Sequence, residues 1–321
     1  MGRSLYLTPN PSPEGSGEKA LTQNQSLEGR GGGRPIGIFD SGVGGLSVLK
    51  AIRQQLPGEP VIYMADQAHV PYGSRSLEEV RGFSEAITRY LLARGAKLIV
   101  VACNTASAAA LQSLRQTFPE VPFVGMEPAV KPAAEGTHSG VVGVLATPAT
   151  FQGALYASVV ERFANGVRLL QHTCPGLVAQ IEAGRLDTPK TRRILEEALL
   201  PMLEQGIDTV VLGCTHYPFV IPLIEEIVGL DVRVIDPAPA VARQVGRILD
   251  AHVLRQAGGK TGSLEILTTD KPEKLQRLLP RLLGQEAKVG RGVWSGKALG
   301  GWDLILKKTK ENKSGRTGDR G

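Results

Sequence analysis

Short apolar runs alternate with amphipathic segments along most of the chain. The runs are rich in Val and Ile, which is typical of strands buried in a parallel sheet. They lie at 35–40, 60–66, 97–104, 121–126, 140–147, 209–215 and 232–236. Segments with helical spacing lie between them, at about 45–55, 76–94, 106–117, 149–163, 188–205, 218–228 and 238–256. This alternation predicts a doubly wound α/β architecture, in which ligands bind beyond the carboxyl ends of the strands.

The two ends of the chain lack this pattern. Residues 1–34 are rich in Gly, Ser, Pro and Asn, and residues 295–321 become rich in Gly and Lys. Such segments bury too little apolar surface to offset the entropy of ordering, so we predict a disordered extension at each end. Within the core, Gly95 and Gly206 are predicted to end helices, and Asp187 is predicted to cap the helix after it.

Composition and charge narrow the class of protein. The chain has 42% apolar and 21% charged residues, with no apolar run long enough to span a membrane and no signal-peptide pattern, so we expect a cytoplasmic protein. The net charge of +6 is concentrated in residues 295–321, which hold seven basic and three acidic side chains. Residues 35–294 hold 26 basic and 25 acidic side chains, which argues against a nucleic-acid-binding face there.

Three isolated cysteines indicate neither a disulfide framework nor a metal site. Cys103 and Cys214 share a context, because each follows a buried apolar run and precedes polar residues and a predicted helix. At such a position the helix dipole and free N–H groups are expected to favour the thiolate. Cys174 has no such context and is predicted to be structural.

Matching cysteines in the two halves predict two related half-domains that face one cleft. Inversion of a stereocentre by proton transfer needs an acid on one face and a base on the other, and two opposed thiols supply both. Disulfide exchange usually employs neighbouring cysteines, and a single nucleophile would leave the second cysteine unexplained. No lysine is placed for a Schiff base and no ligand cluster indicates a metal, so we predict no cofactor.

The glycine-rich segment that follows the first strand has two interpretations. Residues 40–46 read DSGVGGL, and such a turn can present N–H groups to an anion or serve as a tight structural turn. The glycine spacing is not that of a dinucleotide-binding fingerprint. Asp40 lies at the end of the strand, and we favour a functional role for it over a role as a helix cap.

Six motifs in one order give the chain a close resemblance to the glutamate racemases of the aspartate/glutamate racemase superfamily. The motifs are FDSGVGGLSVL, PYGSRS, ACNTASAAAL, GVLATPAT, CPGLVAQIEAG and GCTHYPF, within about residues 35–294. The resemblance implies two α/β domains related by a pseudo-two-fold axis, with the active site between them. Domain A would comprise 35–127 and 236–294, and domain B 128–235. The resemblance also implies a homodimer that supplies D-glutamate for peptidoglycan synthesis.

The same resemblance implies roles for individual residues. Cys103 would deprotonate D-glutamate with the help of Asp40, and Cys214 would deprotonate L-glutamate with the help of His216. Glu182 would be a further assisting acid. Substrate contacts would come from Asp40, Ser41, Tyr72, Gly73, Asn104, Thr105, Thr147, Thr150, Thr215 and His216.

Two alternatives stay open at this point. An aspartate racemase is the nearest, because one methylene changes binding in a pocket by only about 1–3 kcal/mol. A nucleic-acid-binding or regulatory role of the basic segment 295–321 belongs to a different class, and it predicts salt-sensitive binding that disappears when the segment is removed.

Overall fold

The computed structural model describes residues 33–300, and most of its strands lie in two parallel sheets. The strands of the first sheet are β1 Ile36–Asp40, β2 Val61–Ala65, β3 Leu98–Val101, β4 Phe123–Gly125, β9 Leu264–Thr268 and β10 Val289–Arg291, numbered in chain order. Their spatial order is β10-β9-β2-β1-β3-β4. The C-terminal part of the chain therefore returns to complete this sheet.

The second sheet is smaller. Its strands are β5 Val141–Ala146, β6 Arg168–His172, β7 Thr209–Gly213 and β8 Arg233–Ile235, and their order is β6-β5-β7-β8. A separate antiparallel hairpin joins β11 Val293–Ser295 to β12 Ala298–Gly300.

Helices connect the strands. They are α1 Leu46–Gln55, α2 Leu77–Ala93, α3 Asn104–Thr117, α4 Val130–Gly136, α5 Pro148–Gln152, α6 Ala154–Phe163, α7 Leu177–Glu182, α8 Pro189–Leu203, α9 Ile221–Val228, α10 Ala238–Ala251 and α11 Pro272–Leu282. Short 3-10 turns lie at Tyr72–Ser74 and Tyr217–Val220. In residues 33–300 we find no helix that combines the length and the apolar character needed to cross a membrane.

Both faces of each sheet are covered. Along β1, Ile38 packs in an apolar cluster with residues of α1 and α10, whereas its neighbour Phe39 packs with residues of α2 and α3. Along β7, Leu212 joins the first of these clusters and Val211 joins a third one. Successive residues of a strand point to opposite faces, so buried strands of this kind need apolar residues throughout. The predicted doubly wound α/β class is confirmed.

All seven predicted strands are present, but several elements were not predicted. Strand β6 was missed because its positions are only half-buried or exposed, which leaves it short of apolar residues. Strands β9 and β10 and helices α4, α7 and α11 were also missed. The predicted helix at 149–163 is two helices, because Gly153 brings its backbone against the side chain of Ala108 and the chain turns there.

The predicted helix ends are partly correct. Gly95 and Gly206 have positive φ angles of 83° and 79° and follow α2 and α8, as glycines at helix C-termini do. The predicted cap Asp187 is wrong. Thr188 caps α8 by accepting the N–H of Thr191, and Asp187 instead pairs with Arg281 at 3.1 Å.

The start of the predicted C-terminal extension is also wrong. Ser295 pairs with Ala298 in the hairpin, so regular structure extends beyond residue 294. The rest of both predicted extensions, at 1–32 and 301–321, lies outside the described residues.

The division into domains A and B stays a prediction. The strands of the first sheet come from 36–125 and 264–291, and those of the second from 141–235. One apolar cluster includes residues of both sheets, such as Ile38 and Leu212.

Candidate active site

The carboxyl ends of the two sheets meet at a small buried cavity of about 20 Å³. Residues that follow β1, β3, β5 and β7 all reach it, as the rule for open parallel sheets predicts. Its lining residues are Ser41, Pro71, Tyr72, Gly73, Cys103, Asn104, Thr105, Thr147, Val178, Cys214, Thr215 and His216. The cavity therefore includes both cysteines that the sequence singled out.

Cys103 lies at the start of α3. It is the N-cap residue, and its sulfur accepts the N–H of Ala106 at 3.4 Å. Burial and the nearby Asp40 carboxylate nevertheless raise the pKa of Cys103 well above its ordinary value, and the N–H groups of Ala106 and Ser41 offset this only in part. The N–H groups at the helix start favour the thiolate of Cys103, as predicted, but burial and the Asp40 charge outweigh them.

Cys214 follows β7, but an α-helix does not begin there. The helix predicted at 218–228 is present as the 3-10 turn at Tyr217–Val220 followed by α9. The sulfur of Cys214 instead lies 3.8 Å from Nδ1 of His216. On the other side of the ring, Nε2 of His216 lies 2.7 Å from Oε1 of Glu182. Glu182, His216 and Cys214 thus form a continuous chain of contacts that ends at the cavity.

The Glu182–His216 pair is charged. Burial alone would lower the pKa of His216, but its contacts with Cys214 and Glu182 prevail and raise that pKa well above the usual 6.5. Burial would raise the pKa of Glu182, yet the hydrogen bond from His216 leads the effects that bring it below the usual 4.5. A protonated His216 places a positive charge beside the Cys214 sulfur, which is the arrangement that stabilises a thiolate.

Residues that follow strands of the first sheet donate hydrogen bonds to both carboxylate oxygens of Glu182. Gln67 donates its side-chain N–H to Oε2 at 2.8 Å, and the backbone N–H of Val43 donates to Oε1 at 2.7 Å. Sequence reasoning did not identify Gln67, since an isolated glutamine carries no chemical signature.

The glycine-rich segment allows this close approach. A Cβ atom on Gly42 would collide with the Glu182 carboxylate, and one on Gly44 would collide with His216 and Thr215. The glycines at these two positions therefore leave room for charged side chains of the second sheet. Between the two interpretations from the sequence, the described contacts favour close packing over an open anion-binding loop.

Asp40 lies behind the cavity and is fully buried. Its carboxylate accepts the N–H of Gly42 at 2.9 Å and the hydroxyl of Thr215 at 3.2 Å. Burial raises the pKa of Asp40, and the positive His216 opposes that rise. Asp40 thus lies where its charge influences the pKa of Cys103, and its contact with Thr215 links it to the second sheet. Its role in proton transfer at Cys103 stays a prediction.

Asn104 is the best-placed residue for a ligand. It lines the cavity and is 3% exposed, yet among residues 33–300 neither its amide nitrogen nor its amide oxygen has a hydrogen-bond partner. An unpaired buried amide costs stability, so such a group is expected to serve binding.

Three threonines close one side of the cavity. The hydroxyl oxygens of Thr105 and Thr147 are 2.8 Å apart, and those of Thr147 and Thr150 are 2.9 Å apart. Thr150 does not line the cavity itself. Tyr72 lines it too, and its hydroxyl donates to Asp66 at 2.6 Å.

The structure thus gathers most of the predicted site residues around one cavity. Asp40, Thr150 and Glu182 are near it without lining it, and Cys174 is buried outside the lining with its pKa raised to about 12 by burial and the nearby Cys214. Pro71 and Val178 line the cavity and were not predicted. Within residues 33–300, no group of three His, Cys, Asp or Glu side chains is arranged to hold a metal ion.

A two-sheet α/β enzyme is the class that this fold and this cavity with its two cysteines define. The model of the Asp/Glu/Hydantoin racemase family matches residues 36–245. A glutamate racemase from Roseiflexus sp. (strain RS-1) is 53% identical over 250 residues, which are 78% of this chain and 92% of that protein.

Solved structures agree with the sequence match. The crystal structure of a glutamate racemase isoform from Bacillus anthracis has a TM-score of 0.74 and 32% identity, and the match covers 83% of this chain and 98% of that one. Escherichia coli glutamate racemase, in complex with L-glutamate and the activator UDP-MurNAc-ala, has a TM-score of 0.71 and 32% identity, with 84% and 100% covered. The chain belongs to the Asp/Glu/Hydantoin racemase family, and it is an amino-acid racemase.

Proposed function

We propose that this enzyme interconverts L-glutamate and D-glutamate by proton transfer between Cys103 and Cys214. Glutamate is the substrate of the relatives that are about half identical over most of the chain. The observation that carries the mechanism is the shared cavity, which one cysteine enters from the end of β3 and the other from the end of β7.

The two thiols perform opposite halves of one step. The Cys214 thiolate takes the α-proton of L-glutamate, and the Cys103 thiol gives its proton to the opposite face of the resulting carbanion. D-glutamate is then released, with a thiol at Cys214 and a thiolate at Cys103. The reverse direction exchanges the two roles, and no electron or further reactant is consumed.

Fixed hydrogen-bond donors stabilise the carbanion. The negative charge that develops at the α-carbon spreads into the adjacent carboxylate, and preorganised donors in a dry site lower the energy of that charge. Asn104 has two free amide atoms at the cavity, and Ser41 and Thr105 supply hydroxyls there. Thr215 lines the same cavity, but its hydroxyl donates to Asp40. Tyr72 and Gly73 form the wall on the other side and would contact the body of the substrate.

The site must widen to admit the substrate. A cavity of about 20 Å³ accommodates about one water molecule, and glutamate is several times larger. We therefore propose that domains A and B, as divided above, move apart for binding and close for chemistry. Closure excludes water, which favours thiol chemistry over loss of the proton to solvent.

The cellular role follows from the product. D-glutamate would supply peptidoglycan synthesis, and the reduced cysteines that the reaction requires suit the cytoplasm. By the resemblance to the family we also propose a homodimer, which light scattering of the purified protein would test.

The test follows each enantiomer separately in D2O. Purified protein is incubated with L-glutamate or D-glutamate, with a chelator and without pyridoxal phosphate, and optical rotation and the α-hydrogen NMR signal are recorded. Racemisation from both sides that is lost in Cys103→Ala and in Cys214→Ala is expected. Turnover of aspartate in place of glutamate would contradict the substrate, and full activity in either variant would contradict the two-thiol mechanism.

A further inference from the structure

One buried carboxylate collects hydrogen bonds from three parts of the chain. Asp66 follows β2 and is fully buried. It accepts the Tyr72 hydroxyl at 2.6 Å, the Thr269 hydroxyl at 2.7 Å and the indole N–H of Trp294 at 2.8 Å. Nδ1 of His69 lies 2.9 Å from the same carboxylate. A carboxylate with this many partners is a strong anchor, since charge-assisted hydrogen bonds are about twice as strong as neutral ones.

The hydrogen-bond partners of Asp66 belong to different parts of the fold. Tyr72 belongs to the loop that lines the substrate cavity, whereas Thr269 follows β9 and Trp294 lies on β11 of the hairpin. The Trp294 ring also contacts His69 edge to face, with 5.0 Å between ring centroids. The C-terminal hairpin is thereby joined to the loop through both a hydrogen bond and an aromatic contact.

The loop has little freedom of position at the cavity. A Cβ atom on Gly73 would lie 2.7 Å from Cβ of Thr147, so the loop backbone is pressed against a residue of the second sheet. A small shift of the loop would therefore change the width of the cavity between Gly73 and Thr147. The direction of the Tyr72 hydroxyl, which points to Asp66 and away from the cavity, fixes this position.

We propose that Asp66 is a positioning residue for the substrate loop and that Trp294 completes its set of donors. The C-terminal hairpin then helps to set the shape of the substrate cavity, although it lies far along the chain from the residues that line the cavity. The inference rests on the proposed function of the cavity, and it adds residues that never contact the substrate.

The substitution Trp294→Phe tests the hydrogen bond. It removes the N–H donor and keeps an aromatic ring in the cluster. We expect KM for glutamate to rise about threefold to tenfold and kcat to change less than about twofold, because Tyr72 and Gly73 contact the substrate equally in the ground and transition states. The two enantiomers have equal free energy in water, so kcat/KM must fall by the same factor in both directions.

Two further variants separate positioning from general stability. Leu299→Ala truncates a side chain of the same hairpin that packs against the apolar cluster and cannot donate a hydrogen bond to Asp66, so KM should stay within about twofold of the unmodified value. Thr269→Val removes a second donor to Asp66 and should raise KM as Trp294→Phe does. Thr269→Ser retains the hydroxyl and should restore a normal KM. The Thr269 pair tests the proposal by itself if Trp294→Phe does not fold.

The outcomes distinguish this inference from the function on which it depends. If the unmodified protein does not racemise glutamate, the proposed function fails. If it does, an unchanged KM in Trp294→Phe and Thr269→Val would overturn the positioning role. A rise in KM in Leu299→Ala equal to that in Trp294→Phe would also overturn it, because loosening of the hairpin would then be the cause.

Discussion

The two cysteines occupy matching places in the fold but opposite electrostatic surroundings. Cys103 is buried beside Asp40, and burial and that carboxylate raise its pKa. Cys214 is equally buried, yet its neighbour is His216, whose pKa is raised so that a positive charge lies 3.8 Å from the sulfur. The first sheet therefore presents a thiol whose pKa is raised, and the second presents a sulfur beside a positively charged imidazole.

The difference shows that similar sequence contexts need not give similar chemistry. Both cysteines follow a buried strand and precede polar residues, but Cys103 has an acidic neighbour and Cys214 has an imidazole neighbour. An enzyme that inverts a stereocentre benefits from this, because one acid and one base are needed at the same moment.

Removal of either thiol should have the largest effect. We expect racemisation to fall by about 10²-fold to 10⁴-fold or more in Cys103→Ala and in Cys214→Ala. Proton exchange without inversion should separate the two variants. Cys103→Ala retains Cys214 beside the positive His216 and should exchange the α-hydrogen of L-glutamate for deuterium. Cys214→Ala retains Cys103, whose pKa is raised, and should exchange only the α-hydrogen of D-glutamate, more slowly.

NMR in D2O measures this exchange for each enantiomer. Cys174→Ala is the matched control, since that cysteine lies outside the cavity lining and should leave both reactions intact. Equal exchange rates in the two single variants at neutral pH would contradict the proposed influence of the neighbouring His216 and Asp40 on the two cysteines.

Loss of the Glu182 charge should have the next largest effect. In Glu182→Gln the imidazole of His216 loses its carboxylate partner, and its pKa falls toward the usual value. A charge-assisted hydrogen bond of about 1.5–3 kcal/mol corresponds to a decrease in kcat/KM of roughly tenfold to a hundredfold. The alkaline limb of the pH profile should also move to lower pH, because His216 loses its proton earlier.

The same pair makes stability depend on pH. The raised pKa of His216 contributes stability that is complete below its usual 6.5 and is lost as pH rises through the folded-state value. The lowered pKa of Glu182 contributes stability that is present above its usual 4.5 and is lost as pH falls. The difference in unfolding free energy between the unmodified protein and Glu182→Gln should thus be largest between these values, at about 3 kcal/mol or less. Urea unfolding across this range measures it, and a difference independent of pH would argue against a charged pair.

The sequence identified the two cysteines as site residues but did not reveal the different electrostatic surroundings of each. Cys103, Cys214 and His216 were identifiable because a motif places them directly after apolar strands. The raised pKa of Cys103 depends on burial, which becomes visible only when both sheets are assembled. Gln67 and Asp66 escaped notice for a related reason: their partners are 115 and 228 residues away in Glu182 and Trp294.

Replacement of Gln67, which donates a hydrogen bond to Glu182, should reduce activity less than Glu182→Gln does. Gln67→Leu removes the N–H donor to Oε2 of Glu182, and we expect kcat/KM to fall about threefold to tenfold, with the alkaline limb of the pH profile shifted in the same direction as in Glu182→Gln. Gln67→Glu places a like charge against Glu182 and should be worse than Gln67→Leu. Identical pH profiles for Gln67→Leu and the unmodified enzyme would show that Gln67 has no influence on the charged pair.

The smallest effect on KM is expected from replacement of Thr150, on the side of the cavity near Cys103. This threonine was predicted to contact the substrate, but its hydroxyl reaches Thr147 at 2.9 Å and lies behind the lining. Thr150→Val should therefore lower the unfolding free energy by about 0.5–1.5 kcal/mol and change KM less than about twofold. Thr105→Val, which removes a hydroxyl at the cavity itself, should raise KM several times more. A KM in Thr150→Val as high as that in Thr105→Val would mean that the hydroxyls of the three threonines bind the substrate as a unit. The side of the cavity near Cys103 would then depend on a hydrogen-bond network as extended as the chain of contacts from Glu182 through His216 to Cys214.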